Sequence, residues 1–341
     1  MRKQLTPADE PLALTTHPYD ALTPDVILDA VEQYGGRCTG AFLALNSYEN
    51  RVYRVARDED TPVVVKFYRP GRWSEAQLRE EHVFLHELVD ADIPVVAPLT
   101  GPDGDTLQRY QDFFLSLSPF QPGRAPELNH DADREILGRF LGRLHRAGRS
   151  ASFSARPRLT TDLFGHRPLA LLLESDFIPP ELRNNVHDLG GQLLARVEAI
   201  HATIGPVSTF RLHGDCHLSN ILWGEFGPYF VDFDDCISGP AIQDLWMLLS
   251  GSRSETERQL AAVLAGYTQF MNFDPVELNL IEPLRSLRLL RYNGWIAERW
   301  EDPAFPHNFP WFPGHRHWEN FVLTLREQLA LLDEPPLAWQ P

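Results

Sequence analysis

Asp215, Asn220 and Asp232 combine residue type and spacing in a way that can carry chemistry. They lie in His213-Gly214-Asp215-Cys216-His217-Leu218-Ser219-Asn220, which runs into the apolar triplet Ile221-Leu222-Trp223. A turn from Gly224 to Pro228 follows. The second apolar run, Tyr229-Phe230-Val231, then delivers Asp232-Phe233-Asp234-Asp235. A His-x-Asp-x4-Asn segment ahead of an apolar triplet reads as a loop entering a strand. A two-stranded hairpin then places Asn220 and Asp232 at adjacent strand mouths. One amide oxygen and one carboxylate with open positions suit Mg²⁺, a hard cation that keeps waters and binds substrate phosphates. Asp215 is left to accept a proton or orient a hydroxyl. Asp234 and Asp235 either extend the metal shell or cap the next helix. His213 reads as a metal ligand, a base, or a packed histidine that fixes the loop backbone, and the last is the plainer reading. His217 reads equally well as a simple loop residue.

A second signal comes from lysine usage. Of 31 basic Lys+Arg residues only Lys3 and Lys66 are lysine. Lys66 interrupts the apolar run Val63-Val64-Val65-Lys66-Phe67. Either its stem snorkels from a surface strand, or the position needs a compact point charge that a planar guanidinium cannot replace. Downstream, a helix read over Ser74 to Asp90 has Ser74 as N-cap and Glu75 in its first turn. Leu78, Leu85 and Leu88 form its apolar stripe, and Glu81 falls on that stripe. A carboxylate there is costly unless paired. Glu80 sits one step round, nearer the solvated side. A strand lysine followed by a buried helix glutamate is the ion pair that holds ATP phosphates in protein kinases.

The elements around these residues follow from periodicity. An irregular arm runs to about Pro24, with Lys3 in it. A short helix spans Asp25 to Tyr34 and stops at Gly35-Gly36. Strands follow at Gly40–Asn46, Arg51–Val55 and Val63–Tyr68, the charged turn Arg57-Asp58-Glu59-Asp60 lying between the last two. Two more strand-like segments occupy Leu107 to Leu117. Ser118-Pro119-Phe120-Gln121-Pro122-Gly123 then breaks regular structure and divides a strand-rich lobe, 1–118, from a helical lobe, 119–341. The break is either a linker or a hinge that hydrogen-bonds adenine. Pro119 has no N–H, so in the hinge reading Phe120 or a neighbour donates. Helical periodicity follows at Ile136 to Leu144, Leu182 to Ile204, Glu255 to Met271, Leu278 to Trp300 and Trp318 to Leu332. The order predicts an α+β fold of two lobes.

Composition narrows the function classes. At roughly 150 residues per domain, 341 residues make two domains or one two-lobed unit. Hydrophobic residues at 43% and charged residues at 23% exclude a disordered or fibrous chain. A net charge of −16 argues against nucleic-acid binding. The negative charge divides evenly between residues 1–120 and the remainder, so it points to no single pocket. No apolar run approaches ~18 residues, and the N-terminus lacks the apolar stretch of a signal peptide. Cys38, Cys216 and Cys236 read as free thiols of a reducing compartment. Without CxxC or HxxxH pairs no zinc site is expected, and no cysteine-nucleophile signature surrounds Cys216 or Cys236. Trp246, Trp295, Trp300 and Trp311 read as core or, less readily, as a cage for a quaternary ammonium.

HGDCHLSNILW, VDFDD and GPAIQDLWMLL resemble the aminoglycoside/choline kinase branch of the protein-kinase-like fold. Within it, LNSYENRVYRV, VVVKFYRPGRW, EEHVFLHEL, LGRLH and LIEPLRSLRLLRYNGW resemble the bacterial stress response kinase A family. The resemblance runs from about Leu45 to the PAFPHNFPW segment. It implies a two-lobed kinase with a small antiparallel sheet and a larger helical lobe. It also implies ATP and Mg²⁺ dependence, transfer to serine or threonine of proteins, a cytoplasmic monomer and a link to stress survival. By the same resemblance Asp215 is the proton acceptor, Asn220 and Asp232 are magnesium ligands, and Lys66 is the phosphate-binding lysine oriented by Glu81. Asp244 corresponds to a position that steadies the catalytic loop.

The chain departs from ordinary protein kinases in three places. No GxGxxG lies between the first two strands. Asn46-Ser47-Tyr48-Glu49-Asn50 stands there, either a plain hairpin turn or a loop whose N–H groups and Ser47 hydroxyl cradle phosphates. VDFDD replaces DFG, with Asp234 in the glycine's place, which disfavours a flip of that segment. An APE motif is absent, so activation-loop control is not expected. Two other function classes remain. A kinase of an aminoglycoside, choline or homoserine-like alcohol shares every catalytic residue. A non-catalytic ATP-sensing module has no chemical need for Asp215.

Overall fold

Val63, Val65 and Phe67 are buried while Val64 and Lys66 turn to the other face, the alternation of a half-buried strand. The computed structural model describes residues 17–58, 61–225 and 227–340. Lys3 and the first part of the arm lie outside the described residues, as do Glu59 and Asp60 of the charged turn. The first lobe comprises α1 (Pro24–Gly35), β1 (Cys38–Ala44), β2 (Arg51–Arg57), β3 (Val63–Phe67), α2 (Glu75–Asp90), β4 (Gln108–Tyr110) and β5 (Phe113–Pro119). Its strands form one antiparallel sheet in the order β1-β2-β3-β5-β4. Tyr19 and the α1 residues Ile27, Ala30 and Val31 pack on the face that carries Val63, Val65, Phe67 and Phe113. Lys66 is thereby left to the opposite face, on the side of α2.

The N-cap of α2 is Ser74, whose hydroxyl accepts the Gln77 N–H while the Gln77 side chain accepts the Ser74 N–H. The register fixed by this cap buries Leu78, Glu81, Leu85 and Leu88 together. β5 continues to Pro119, opposite Val63, past the point where the Ser-Pro-Phe break suggests an end. Pro119 is tolerated because β4 pairs only with Phe113–Leu115, so no strand on that side lacks its N–H.

The second lobe contains α3 (Asp131–Gly148), α4 (Arg167–Glu174), α5 (Pro180–Ile204), β6 (Phe210–Leu212), β7 (Ile221–Gly224), β8 (Gly227–Phe230), β9 (Ile237–Gly239), α6 (Ile242–Trp246), α7 (Arg253–Tyr267), α8 (Ile281–Glu298), α9 (Ala304–Asn308) and α10 (His315–Leu331). The helix read from Leu278 is a 3₁₀ turn, Pro275–Leu280, leading into α8. α3 and α7 cross closely because Gly138 lies against the Val263 carbonyl and Gly266 against that of Glu135, where a Cβ would collide. One core gathers α3, α6 and α7 around the β6–β9 segment, and a second gathers α4, α5, α8 and α10. The protein therefore has the expected α+β fold, a five-stranded antiparallel sheet lobe and a larger helical lobe.

Candidate active site

The loop that carries Asp215 is held from beneath by α6. Asp244 is fully buried, and its two carboxylate oxygens accept the backbone N–H groups of His213 and Gly214, each at 2.9 Å. His145 Nε2 lies 3.1 Å from the same carboxylate. Gln243 Nε2 donates to the Gly214 carbonyl at 2.8 Å. Gly214 has φ +86°, and a Cβ there would run into the Asp235 carbonyl. His213 is buried; its Nδ1 accepts the Asp215 N–H at 3.3 Å and its Nε2 donates to the Val231 carbonyl at 2.9 Å. His213 is thus a packed histidine that ties the loop to the strand before Asp232. Burial pushes the thiols of Cys216 and Cys236 upward, so neither is a thiolate nucleophile.

β7 and β8 form the hairpin expected from the two apolar runs, with Ile221 opposite Phe230. The Val231 N–H donates to the Asn220 carbonyl at 3.0 Å, which sets Asn220 and Asp232 at neighbouring strand ends. Asn220 Nδ2 donates to the Asp215 carbonyl at 3.0 Å, leaving its amide oxygen as the open acceptor. Asp232 has φ +59°, a left-handed conformation that a short polar side chain tolerates, and its carboxylate is 54% exposed. One amide oxygen beside one accessible carboxylate fits a divalent cation that completes its shell with water and phosphate oxygens.

Lys66 reaches this site from β3. Its Nζ lies 3.2 Å from Asp232 Oδ1, 3.1 Å from Asp234 Oδ1 and 3.6 Å from Glu81 Oε1. Burial would lower the lysine's pKa, but the three carboxylates raise it well above the usual value, so it stays charged. Glu81 also accepts from Arg156 Nη2 at 2.5 Å. Arg156 donates in turn to the Asp234 carbonyl at 2.7 Å. Asp234 is buried and pairs with Arg72 as well as Lys66; burial would raise its pKa, but Arg72, Lys66 and Arg156 hold it well below the carboxylate range. Asp235 pairs with Arg72 at 2.8 Å. These two acids are therefore ion-pair partners of the first lobe rather than a helix cap. Glu80 is not idle at the surface: it accepts the backbone N–H groups of Ser154, Ala155 and Arg156 and so fixes the loop that presents Arg156.

Asp215 lies at the helical side of the same cluster. Its Oδ1 is 2.5 Å from Arg288 Nη1 and its Oδ2 is 3.3 Å from His217 Nε2. Burial would raise its pKa, but the His217 hydrogen bond and the Arg288 charge hold it well below the usual range.

Ser47 is half-buried in the loop between β1 and β2. The loop is fastened to the helical lobe rather than free. Glu49 is buried and faces Trp295 Nε1 at 2.5 Å, Arg299 Nε at 2.9 Å and Arg69 Nε at 2.9 Å. Nearby Asp302, also buried, pairs with Arg51 at 2.9 Å and with Arg69, and lies 3.3 Å from His17. The expectation that the Phe120 N–H serves as an adenine donor is corrected by the sheet: that N–H donates to the Pro62 carbonyl at 3.3 Å, one pair beyond the last β3–β5 partners. The four tryptophans do not form one cage: Trp246 packs in the first helical core, whereas Trp295, Trp300 and Trp311 adjoin the Phe309 and Phe312 rings as part of an aromatic packing cluster. Among the described residues no cluster of three or more His, Cys, Asp and Glu side chains is arranged to hold a metal, and no helix is long and apolar enough to cross a membrane.

The profile of the APH family, described as a phosphotransferase enzyme family, matches residues 42–281. Stress response kinase A of Escherichia coli (strain K12) is 42% identical over 323 residues, 95% of this chain and 97% of that protein. A protein of Salmonella typhimurium (strain LT2) named serine/threonine protein kinase RdoA is 42% identical over the same shares. Among solved structures, an amicoumacin kinase in complex with AMP-PNP and Ca²⁺ superposes with a TM-score of 0.72 at 18% identity, covering 94% of this chain and 96% of that one. A microcompartment-associated aminopropanol kinase gives 0.66 at 17%, covering 91% and 96%. At such identities the structures share the fold alone.

Proposed function

The chain belongs to the phosphotransferase enzyme family and, within it, to the stress response kinase A family, and on that premise we propose that this ATP-dependent kinase transfers the γ-phosphate of ATP to serine and threonine hydroxyls of proteins. The observation that carries the kinase chemistry is the meeting of Lys66 with Asp232 at 3.2 Å across 166 residues of chain, beside Asn220 and Asp215; the protein acceptor is supported by the likeness to the relative named serine/threonine protein kinase RdoA. The free thiols of Cys38, Cys216 and Cys236 support a cytoplasmic location, and we read the protein as a monomer.

In this reading ATP lies between the lobes, with Lys66 on its α- and β-phosphates and Glu81 and Arg156 holding the lysine's pocket. The N–H groups of the Asn46–Asn50 loop and the Ser47 hydroxyl face the phosphates. Asn220 and Asp232 would hold Mg²⁺, which supplies charge neutralisation to the phosphate oxygens when bound. Asp215 orients the acceptor hydroxyl. The acceptor oxygen bonds to the γ-phosphorus, the bond from that phosphorus to the β–γ bridging oxygen breaks, ADP leaves, and the hydroxyl proton passes to Asp215. Such transfer depends on placement and charge stabilisation more than on covalent chemistry, and these side chains supply both.

A second reading, a small-molecule alcohol kinase, rests on the fold shared with the amicoumacin and aminopropanol kinases. A non-catalytic ATP sensor is disfavoured by the complete Lys66, Glu81, Asp215, Asn220 and Asp232 set. The deciding experiment incubates the protein with labelled ATP, Mg²⁺, a basic protein, an acidic protein and a panel of small alcohols. Label in protein supports the first reading, label in an alcohol the second, and no transfer at all defeats both.

A further inference from the structure

α8 meets the site and the β1–β2 loop with side chains from successive turns. Arg288 meets Asp215 at 2.5 Å, Arg291 lies 3.4 Å from Asp235, and Trp295 meets Glu49 at 2.5 Å. Asp215 is engaged on both sides, Oδ1 by Arg288 and Oδ2 by His217 at 3.3 Å. A base orients a hydroxyl only from hydrogen-bond distance. Before an acceptor can use Oδ1, Arg288 has to leave it.

Where Arg288 goes then decides which hydroxyl is accepted. The neighbouring carboxylates are already matched. Asp235 faces Arg72 at 2.8 Å and Arg291 at 3.4 Å. Glu282 faces Arg285 at 3.3 Å and Gln328 Nε2 at 2.8 Å. Asp232 and Asp234 face Lys66. A guanidinium keeps its charge at any working pH, so on leaving Asp215 it is best satisfied by an anion brought from outside. The side chain is 42% exposed, which leaves it room to turn toward solvent.

Building on the protein-acceptor reading, we propose that Arg288 gates Asp215: it closes the base while no acceptor is bound and yields it to a serine or threonine hydroxyl flanked by an anionic group, which takes over the guanidinium. Arg288 is then a positioning and specificity residue. Two consequences follow from the charges. Water does not find an open Asp215, so ATP is spared from hydrolysis, in which water oxygen would bond to the γ-phosphorus, the bond to the ADP oxygen would break and a water proton would pass to Asp215. An acceptor with cations beside its hydroxyl meets the like charges of Arg288 and Arg291 and leaves the base closed.

The test uses the full chain with ATP, Mg²⁺ and three serine peptides of equal length, flanked by Asp, Ala or Arg. Wild type is expected to use the Asp-flanked peptide at least about tenfold more efficiently than the Arg-flanked one, with the difference in KM. Arg288→Gln is expected to lose that order and to hydrolyse ATP without peptide roughly threefold to tenfold faster. Arg288→Lys, which keeps the charge, is expected to retain the wild-type pattern. Equal use of the three peptides by wild type, an unchanged order in R288Q, or unchanged hydrolysis in R288Q overturns the gate. Transfer to no peptide counts against a protein acceptor, whereas the hydrolysis assay needs no acceptor and judges the gate separately.

Discussion

Lys66 Nζ lies closer to Asp234, at 3.1 Å, than to Glu81, at 3.6 Å, so the nearer anion comes from the opposite lobe. The lysine is enclosed by three carboxylates and by Tyr68, whose ring centre is 5.2 Å from Nζ. That arrangement suits a compact point charge, which a longer planar guanidinium does not reproduce. Lys66→Arg is expected to lower kcat/KM by about a hundredfold or more even though the charge is kept. Steady-state kinetics of the variant check this, and an arginine enzyme within a few-fold of wild type would remove the argument from lysine scarcity.

Asp215 is ionised and touches no other element of the proposed ATP site except through Asn220, which donates to its carbonyl. Replacing the carboxylate therefore removes the proton acceptor without disturbing the Lys66 cluster. Asp215→Ala is expected to reduce transfer by about 10²–10⁴-fold, with ATP affinity by calorimetry changed by no more than about threefold. Near-normal turnover would mean that another group takes the proton.

The parts of the site that could be read from sequence are those governed by local period. The hairpin of Ile221–Gly224 and Gly227–Phe230 follows from two apolar runs and a turn, and Glu81 from the 3.6-residue stripe of α2. The parts that could not be read depend on charge pairs between distant segments. Arg156 meets Glu81 across 75 residues, Arg288 meets Asp215 across 73, and Trp295 meets Glu49 across 246. No short-range pattern announces such partners, because an arginine on a loop or an exposed helix face looks alike whichever carboxylate it meets. Phe120 failed as a free donor for a related reason: the exact length of an antiparallel pairing is set by register, and the Ser-Pro-Phe break does not reveal that β5 outlasts it by pairing with Val63 and Pro62.

Asp302 joins the lobes through buried, hydrogen-bonded ion pairs. It is 2% exposed and surrounded by Arg51, Arg69 and His17 of the sheet lobe. Removing it leaves two guanidinium groups without their buried partner. Asp302→Ala is expected to cost about 3–5 kcal/mol, read as a lower urea midpoint. Burial opposes ionisation of Asp302, but the Ala304 N–H, Arg51 and Arg69 hold its pKa below the usual value. Its contribution is therefore complete above the ordinary carboxylate pKa and is lost as pH falls below it. Wild type should lose this increment on acidification, and D302A should not.

Glu277 gives the opposite pH dependence. It is 3% exposed, and its carboxyl accepts the Ile242 N–H at the start of α6, the helix that carries Asp244. Burial raises its pKa from 4.5 to about 7. Between those two values the folded protein holds a proton that the unfolded chain releases, so stability falls as pH rises through the window and levels off above it. The loss is on the order of 3 kcal/mol. Glu277→Gln stays neutral and still offers an oxygen to the Ile242 N–H, so it escapes the loss. The urea midpoint of E277Q should approach or match that of wild type near pH 5, exceed it increasingly up to about pH 7, and keep a nearly constant margin above that. A gap that does not change with pH would show that Glu277 is ionised throughout the range, and that a charge is buried beneath α6 without the cost assigned to it.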